Sequence, residues 1–229
     1  MSFEFDLEPE FLELYEQCRA QSMTSIERMY ALYKAVEHAV LTGVPGDFAE
    51  CGVWRGGSVM MMALAAQHFG DTRRSIWLYD TFSGMTAPSP SDVQANTGQS
   101  ASEVLKDNER SQDNPYWGIA PREAVEANLL HTGYPIDRFN IVAGDVLQTM
   151  PALAPQQLAI LRLDTDWYES TRHELNCLYP RLVRNGVLII DDYGFWTGAR
   201  KAVDEFFAQE PDKPFLHRID FTGRICVKP

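Results

Sequence analysis

Five short apolar runs recur along the chain, most of them stopping at an acid, with helical spacing between them. They cover residues 47–53, 75–80 (SIWLYD), 139–145 (FNIVAGD), 158–164 (LAILRLD) and 186–192 (GVLIIDD). Runs of that length suit buried strands, and strands alternating with helices predict a parallel sheet covered on both faces. Few other plans accommodate the pattern. FLHRID and GRICVKP, joined at Thr222 and Gly223, predict a closing antiparallel hairpin. The expected fold is α/β and Rossmann-like: one domain over 1–229 without a linker, with a mostly parallel seven-stranded sheet and a C-terminal antiparallel hairpin.

Helical periodicity supplies the intervening elements. Thr24 with Glu27 three residues later predicts a capping box, opening a helix that buries Met29, Leu32, Tyr33, Val36 and Val40. This helix belongs to an N-terminal helical region of about residues 1–42. Ser58 predicts the cap of a helix running to about Phe69. Residues 122–130 predict a helix with Val125, Leu129 and Leu130 inward, another runs through Leu175, Leu178, Tyr179 and Leu182, and another covers 197–207. Residues 83–120 break the rhythm, being rich in Ser, Pro, Asn and Gln with EVLKDNER as the helical-looking piece. So long a segment reads either as a surface insertion or as a lid over substrate. The lid reading gives Tyr116 and Trp117 a role, packing on a ligand.

Charge and composition narrow the partners. A net charge of −12 with no cluster of Lys and Arg disfavours nucleic acid. The apolar run 59–66 falls far short of the ~20 residues that span a bilayer, and MSFEFDLEPE lacks the regions of an export signal. Cys18, Cys51, Cys177 and Cys226 show no metal-ligand spacing and predict free thiols. A soluble cytoplasmic protein acting on a small molecule is expected.

In such sheets ligands bind beyond the carboxyl ends of the strands, and that is where Glu50, Asp80, Asp145, Asp164, Asp191 and Asp192 fall. They should line one rim. In AECGVWRGGS the glycines Gly52, Gly56 and Gly57 allow close backbone approach, but their spacing is not the G-x-G-x-x-G of dinucleotide enzymes. Glu50 either serves a cofactor carrying an amino acid and a sulfonium or pairs with a nearby basic group. Asp80 either accepts the ribose hydroxyls of an adenosine or caps a helix, and Asp145 either accepts the adenine amino group or serves as a cap. Together the three fit an adenosyl cofactor. Gly52, Ser58, Thr81, Gly144 and Asp164 complete the candidate cofactor site.

If the fourth and fifth strands are neighbours, about 4.8 Å apart, the carboxylates of Asp164, Asp191 and Asp192 converge. At ~4 Å and an effective dielectric near 20, each like-charged pair costs roughly 4 kcal/mol, so protonation or a cation must relieve it. Oxygen ligands alone point to Mg²⁺ or a similar hard divalent ion. Some of these acids could instead cap helices, as could Asp166 or Ser170. Unless the chain has already turned there, strand alternation points Asp166 the same way as Asp164, where it can act as a general base on a hydroxyl acidified by the metal. The histidines, His173 included, read as structural.

The segments GDFAECGVWRGGS, LYDTFSGM, TGYP, LRLDTDWYESTRHELNCLYPRL and GVLIIDDYGFWTGARKAVDEFF resemble the macrocin O-methyltransferase family, over nearly the whole chain from about Met23. Its members use S-adenosyl-L-methionine (SAM) and Mg²⁺ to methylate sugar hydroxyls of macrolides and related natural products. The resemblance implies a class I SAM-dependent methyltransferase fold, Glu50, Asp80 and Asp145 around SAM, a metal held by Asp164, Asp191 and Asp192, and Asp166 as base. It also implies a homo-oligomer and a hydroxylated acceptor, with a sugar or another vicinal diol suited to chelation. Ser83, where an acidic residue is common, and a short N-terminus depart from the family pattern. A metal-dependent hydrolase or phosphoryl-transfer enzyme using the same acids is the alternative, though the chain has no P-loop and no phosphate-gripping cluster. A noncatalytic module of the same fold is a third reading.

Overall fold

A computed structural model describes residues 6–229; the first five residues of the expected N-terminal helical region lie outside the described residues. The elements in chain order are α1 (Pro9–Cys18), α2 (Ile26–Leu41), β1 (Asp47–Cys51), α3 (Gly57–His68), β2 (Ile76–Asp80), α4 (Ala101–Asp107) and α5 (Arg122–Leu130). They continue with β3 (Phe139–Ala143), α6 (Val146–Thr149), β4 (Leu158–Leu163), α7 (Tyr168–Leu178), β5 (Leu182–Ile190), α8 (Thr197–Gln209), β6 (His217–Arg218) and β7 (Arg224–Val227).

The strands form one seven-stranded sheet in the order β3-β2-β1-β4-β5-β7-β6. The first five are parallel, and the hairpin adds β7 antiparallel to β5. Alternation divides each strand between two cores. Phe48, Ile76, Leu78, Ile160 and Ile189 pack beneath α2 and α3, whereas Ala49, Tyr79, Leu161, Leu163 and Leu188 pack against α7 and α8. Apolar side chains on both faces explain why these strands read as continuous apolar runs. The strand order reverses between β1 and β4, which opens a crevice at their carboxyl ends.

Every residue of α3 from Gly57 to Ala66 is buried. A helix with no polar side needs cover all round. Here α1 and α2 provide it, with Phe11, Met29, Leu32 and Val36 in the same core as Met61 and Met62.

Four local expectations fail for identifiable reasons. The cap of α2 is Ser25, whose hydroxyl accepts from the Arg28 amide, while the Thr24 hydroxyl donates to Asp191 across the molecule. Gly56 caps α3 in the left-handed conformation, and Ser58 lies inside the helix. Leu130 is exposed, because Val125 and Leu129 define the inner face and the next residue turns away by ~100°. The helix ends at Leu178; a 3₁₀ turn at Tyr179–Arg181 follows, and Leu182 begins β5.

Residues 83–120 fold down onto the sheet end. The Asp92 carboxylate is fully buried, accepting from the Tyr168 amide (2.7 Å) and from Ser89. Thr197 donates to the Ser91 carbonyl (2.8 Å), and Ala95 to that of Phe195 (2.8 Å), so the segment is tied to the starts of α7 and α8. Ser100 and Glu103 form a capping box on α4, whose Ala101, Val104 and Leu105 pack on Trp167 and Trp196. Among the described residues the four cysteines are free, and no helix is long and apolar enough to cross a membrane.

Candidate functional site

The register sets one face of the site. Glu50 on β1 stands opposite Arg162 on β4, Arg162 stands opposite Ile189 on β5, and two residues further along Asp164 and Asp191 follow on the same face. Arg162 is 1% exposed. Its guanidinium donates to Glu50 Oε1, to Asp164 Oδ2 (2.6 Å), to Asp191 Oδ1 and to the Thr24 hydroxyl (3.2 Å). Arg28, from the first turn of α2, pairs with Asp191 Oδ2 and with Asp220 (3.0 Å). Converging carboxylates alone would demand a cation, and two guanidiniums already meet part of that demand. The excess of acid remains, because Glu50, Asp164, Asp166, Asp191 and Asp192 share only Arg28 and Arg162.

Arg162 is therefore the residue that sequence reading passed over, although an arginine inside the apolar run LAILRLD is itself a signal. A strand buried on both faces can hold a charge only opposite another. Nothing comparable marks Arg28 or Trp196.

Asp164, Asp191 and Asp192 each offer a carboxylate oxygen, all within 4.8 Å of one another. The hard oxygen donor set fits a divalent ion such as Mg²⁺. Asp166 does not follow strand alternation: its φ of 66° turns the chain left-handed, and its amide donates to Asp192 Oδ2 (3.1 Å). Its Oδ1 accepts from the Trp196 indole (2.6 Å). Burial raises the Asp166 pKa to about 7, with Asp164 adding to the shift. Burial likewise lifts Asp164 to about 6 against the pull of Arg162, and it pushes Asp192 well above the usual carboxylate range.

Glu50 takes the pairing its second reading foresaw, with Arg162, yet its Oε2 is buried without a hydrogen-bond partner. Burial raises its pKa to about 8. Asp80 caps no helix; it accepts from the amides of Val53 (2.8 Å), Trp54 (3.1 Å) and Phe82 (2.7 Å), fastening the glycine turn to β2. Asp145 caps α6 through the Leu147 amide (2.9 Å). At Gly52 the φ is 79° and a Cβ would sit 1.9 Å from the Asp164 carbonyl oxygen, so no other residue fits between β1 and β4 there.

One cavity of about 390 Å³ lies at this sheet end. It brings together Glu50, Gly52, Ser58, Asp80, Thr81, Gly144, Asp145, Asp164, Asp166, Asp191 and Asp192. Met85, Val104, Leu105 and Tyr116 of the 83–120 segment also line it. At its edge Met23, Tyr116 and Phe221 are 50%, 43% and 62% exposed, an unusual concentration of uncovered apolar groups.

Behind the cavity Glu174 on α7 is fully buried; it accepts from the Thr165 hydroxyl (2.9 Å), and its Oε2 has no partner. Burial raises its pKa to about 8 from an ordinary 4.5. A carboxyl with a raised folded pKa favours the fold fully below pH 4.5, and that contribution is lost as pH rises towards 8. Relative to wild type, Glu174→Gln should gain about 3 kcal/mol on going from pH 5.5 to 8.0 in urea titrations. A constant difference would mean that Glu174 does not titrate there.

A family model described as Macrocin-O-methyltransferase (TylF) matches residues 16–227. The chain is 34% identical over 218 residues to 8-demethyl-8-(2,3-dimethoxy-α-L-rhamnosyl)-tetracenomycin-C 4'-O-methyltransferase of Streptomyces olivaceus, covering 95% of this chain and 79% of that one. It is 32% identical over 191 residues to mycinamicin III 3''-O-methyltransferase of Micromonospora griseorubida, covering 82% and 70%. The solved structure of the O-methyltransferase NovP superposes with a TM-score of 0.76 at 29% identity, covering 91% of this chain and 82% of the other.

Proposed function

The chain belongs to the macrocin O-methyltransferase family, and we propose that it methylates a sugar hydroxyl of a natural-product glycoside, using SAM and a divalent metal ion held by Asp164, Asp191 and Asp192. Its fold is that of the class I SAM-dependent O-methyltransferases, and the chain is an O-methyltransferase. That sets aside a hydrolase or phosphoryl-transfer reading of the same acids.

The observation that carries the metal is the trio of carboxylate oxygens from two adjoining strand ends, beside a cavity rich in acceptors. For the cofactor, the unpartnered Glu50 Oε2 suits an ammonium group, and Asp80 and Asp145 suit ribose and adenine donors. For the acceptor, the relatives' names specify a rhamnosyl tetracenomycin and a mycinamicin. Exposed Met23, Tyr116 and Phe221 offer an apolar seat for such a body, and residues 83–120 serve as the lid.

When bound, SAM supplies an electrophilic methyl group, and the divalent ion lowers the pKa of an acceptor hydroxyl. The protein supplies alignment and a proton acceptor. Asp166 fills the second role: Trp196 fixes its Oδ1, which leaves Oδ2 to take the hydroxyl proton. The left-handed turn at Asp166 stores strain of order 1–3 kcal/mol, as positioned groups in functional sites often do.

Labelled SAM offered with a panel of glycosides, with and without EDTA, tests the proposal. Methyl transfer to a sugar oxygen that stops with EDTA and resumes with Mg²⁺ is expected, whereas transfer indifferent to chelation removes the metal. Asp166→Asn should lower kcat about 100-fold while SAM and Mn²⁺ affinities hold; a near-normal kcat would assign the proton elsewhere.

A further inference from the structure

We propose that Arg28 is a built-in competitor for the metal site, so that the ion must displace its guanidinium from Asp191. This rests on the metal reading above.

Asp191 is more heavily engaged than either of its companions. Oδ1 accepts from Arg162 and from the Thr24 hydroxyl (3.1 Å), and Oδ2 accepts from Arg28. A carboxylate offers about four lone-pair sites, so the one left is on Oδ2, the oxygen that the Arg28 guanidinium already covers. Asp164, by contrast, has Oδ1 unclaimed, and Asp192, whose Oδ2 accepts from the Asp166 amide, pairs with no arginine. A divalent ion brought to the three acids therefore meets a cation already bound at Asp191.

Of the two arginines, Arg28 is the one built to yield. Arg162 is locked in β4 between Glu50, Asp164 and Asp191, with no room to swing. Arg28 reaches in from α2 with its side chain 10% exposed, and it has a second anchor. Its Nε donates to Asp220 Oδ2 (3.0 Å), and that carboxylate is fixed by the Ser25 hydroxyl (2.8 Å) and the amides of Thr222 (2.9 Å) and Gly223 (2.6 Å). The shaft of Arg28 lies where a Cβ on Gly223 would stand 2.9 Å from its Cδ. The guanidinium can thus pivot about the Asp220 contact, releasing Asp191 without losing all its compensation. Displacement also moves a side chain that lines the cavity next to Thr24 and Thr222, so metal loading reshapes the wall that meets the acceptor.

Competition has a sign that a merely structural role lacks. Manganese affinity, read from the free Mn²⁺ signal by electron paramagnetic resonance with SAM present, should tighten about tenfold in Arg28→Met. In Arg28→Lys, which keeps a charge but loses the fork joining Asp191 to Asp220, it should tighten about threefold. By linkage, the tenfold change reappears as a stability penalty of Arg28→Met that is ~1.4 kcal/mol smaller in saturating Mn²⁺ than in EDTA. If Arg28→Met does not fold, the lysine variant decides alone. Unchanged or weaker Mn²⁺ binding in the folded variants overturns the displacement but leaves the metal reading standing. Absence of Mn²⁺ binding at millimolar concentration in wild type and variants alike overturns both.

Discussion

Replacing Arg162 with methionine is expected to remove about 3–5 kcal/mol of folding stability, a large share of what a single domain possesses. The cause is what the substitution leaves behind. Glu50 and Asp191 are buried, and both rely on the Arg162 guanidinium, as does the nearer oxygen of Asp164. Methionine matches much of the shaft but none of the charge, so three carboxyl groups would share Arg28 alone. Lysine should recover only part of the loss, because one ammonium cannot reach three carboxylates in the geometry of the planar fork. Urea denaturation at pH 7 measures the effect. Pairing Arg162→Met with Glu50→Gln should recover only part of the loss, since the second change removes one of the three carboxyl groups that relied on the guanidinium. A loss below 1 kcal/mol would show that Arg162 is not the balance of this cluster.

Asp192→Asn is expected to reduce turnover 1,000-fold or more while SAM affinity stays within a few-fold. A divalent ion contributes several kcal/mol to the stabilisation of developing charge, which corresponds to that factor. Asp192 is the cleaner probe among the three acids. Substituting Asp191 would take one partner from both Arg28 and Arg162, confounding catalysis with folding. Asparagine at 192 can still accept from the Asp166 amide, so the local turn should survive. Labelled methyl transfer gives the rate and calorimetry the SAM affinity. In wild type, EDTA should reproduce the loss and Mg²⁺ reverse it. A variant turning over near the normal rate would show that Asp192 holds no essential ion.

The parallel sheet and its rim of acids were readable because burial on both faces writes an apolar run directly into the chain, and strand ends follow from its length. Asp164 and Asp191 come together because β4 and β5 are neighbours in register, which the sequence could state only as a condition. The balance of charge was not readable from spacing. Arg28 lies 163 residues from Asp191 along the chain, and only the docking of α2 joins them. Asp166 illustrates the same limit, since a left-handed turn cancels the alternation that would have aimed it. Caps were misassigned by one or two residues for a related reason: Thr24 has a better partner across the molecule than along its helix, and a glycine at 56 reaches a conformation closed to Ser58. The segment 83–120 looked loose because its ties run to distant parts of the chain, Asp92 to the Tyr168 amide, Ser91 to Thr197 and Ala95 to Phe195.

The greasy cylinder formed by Val59 to Ala66 dictates how the chain must be handled. Trimming the leading helices to obtain a minimal catalytic unit would lay bare Met61, Met62 and their neighbours. The shortened product should clump on expression even though every acid at the rim is still encoded.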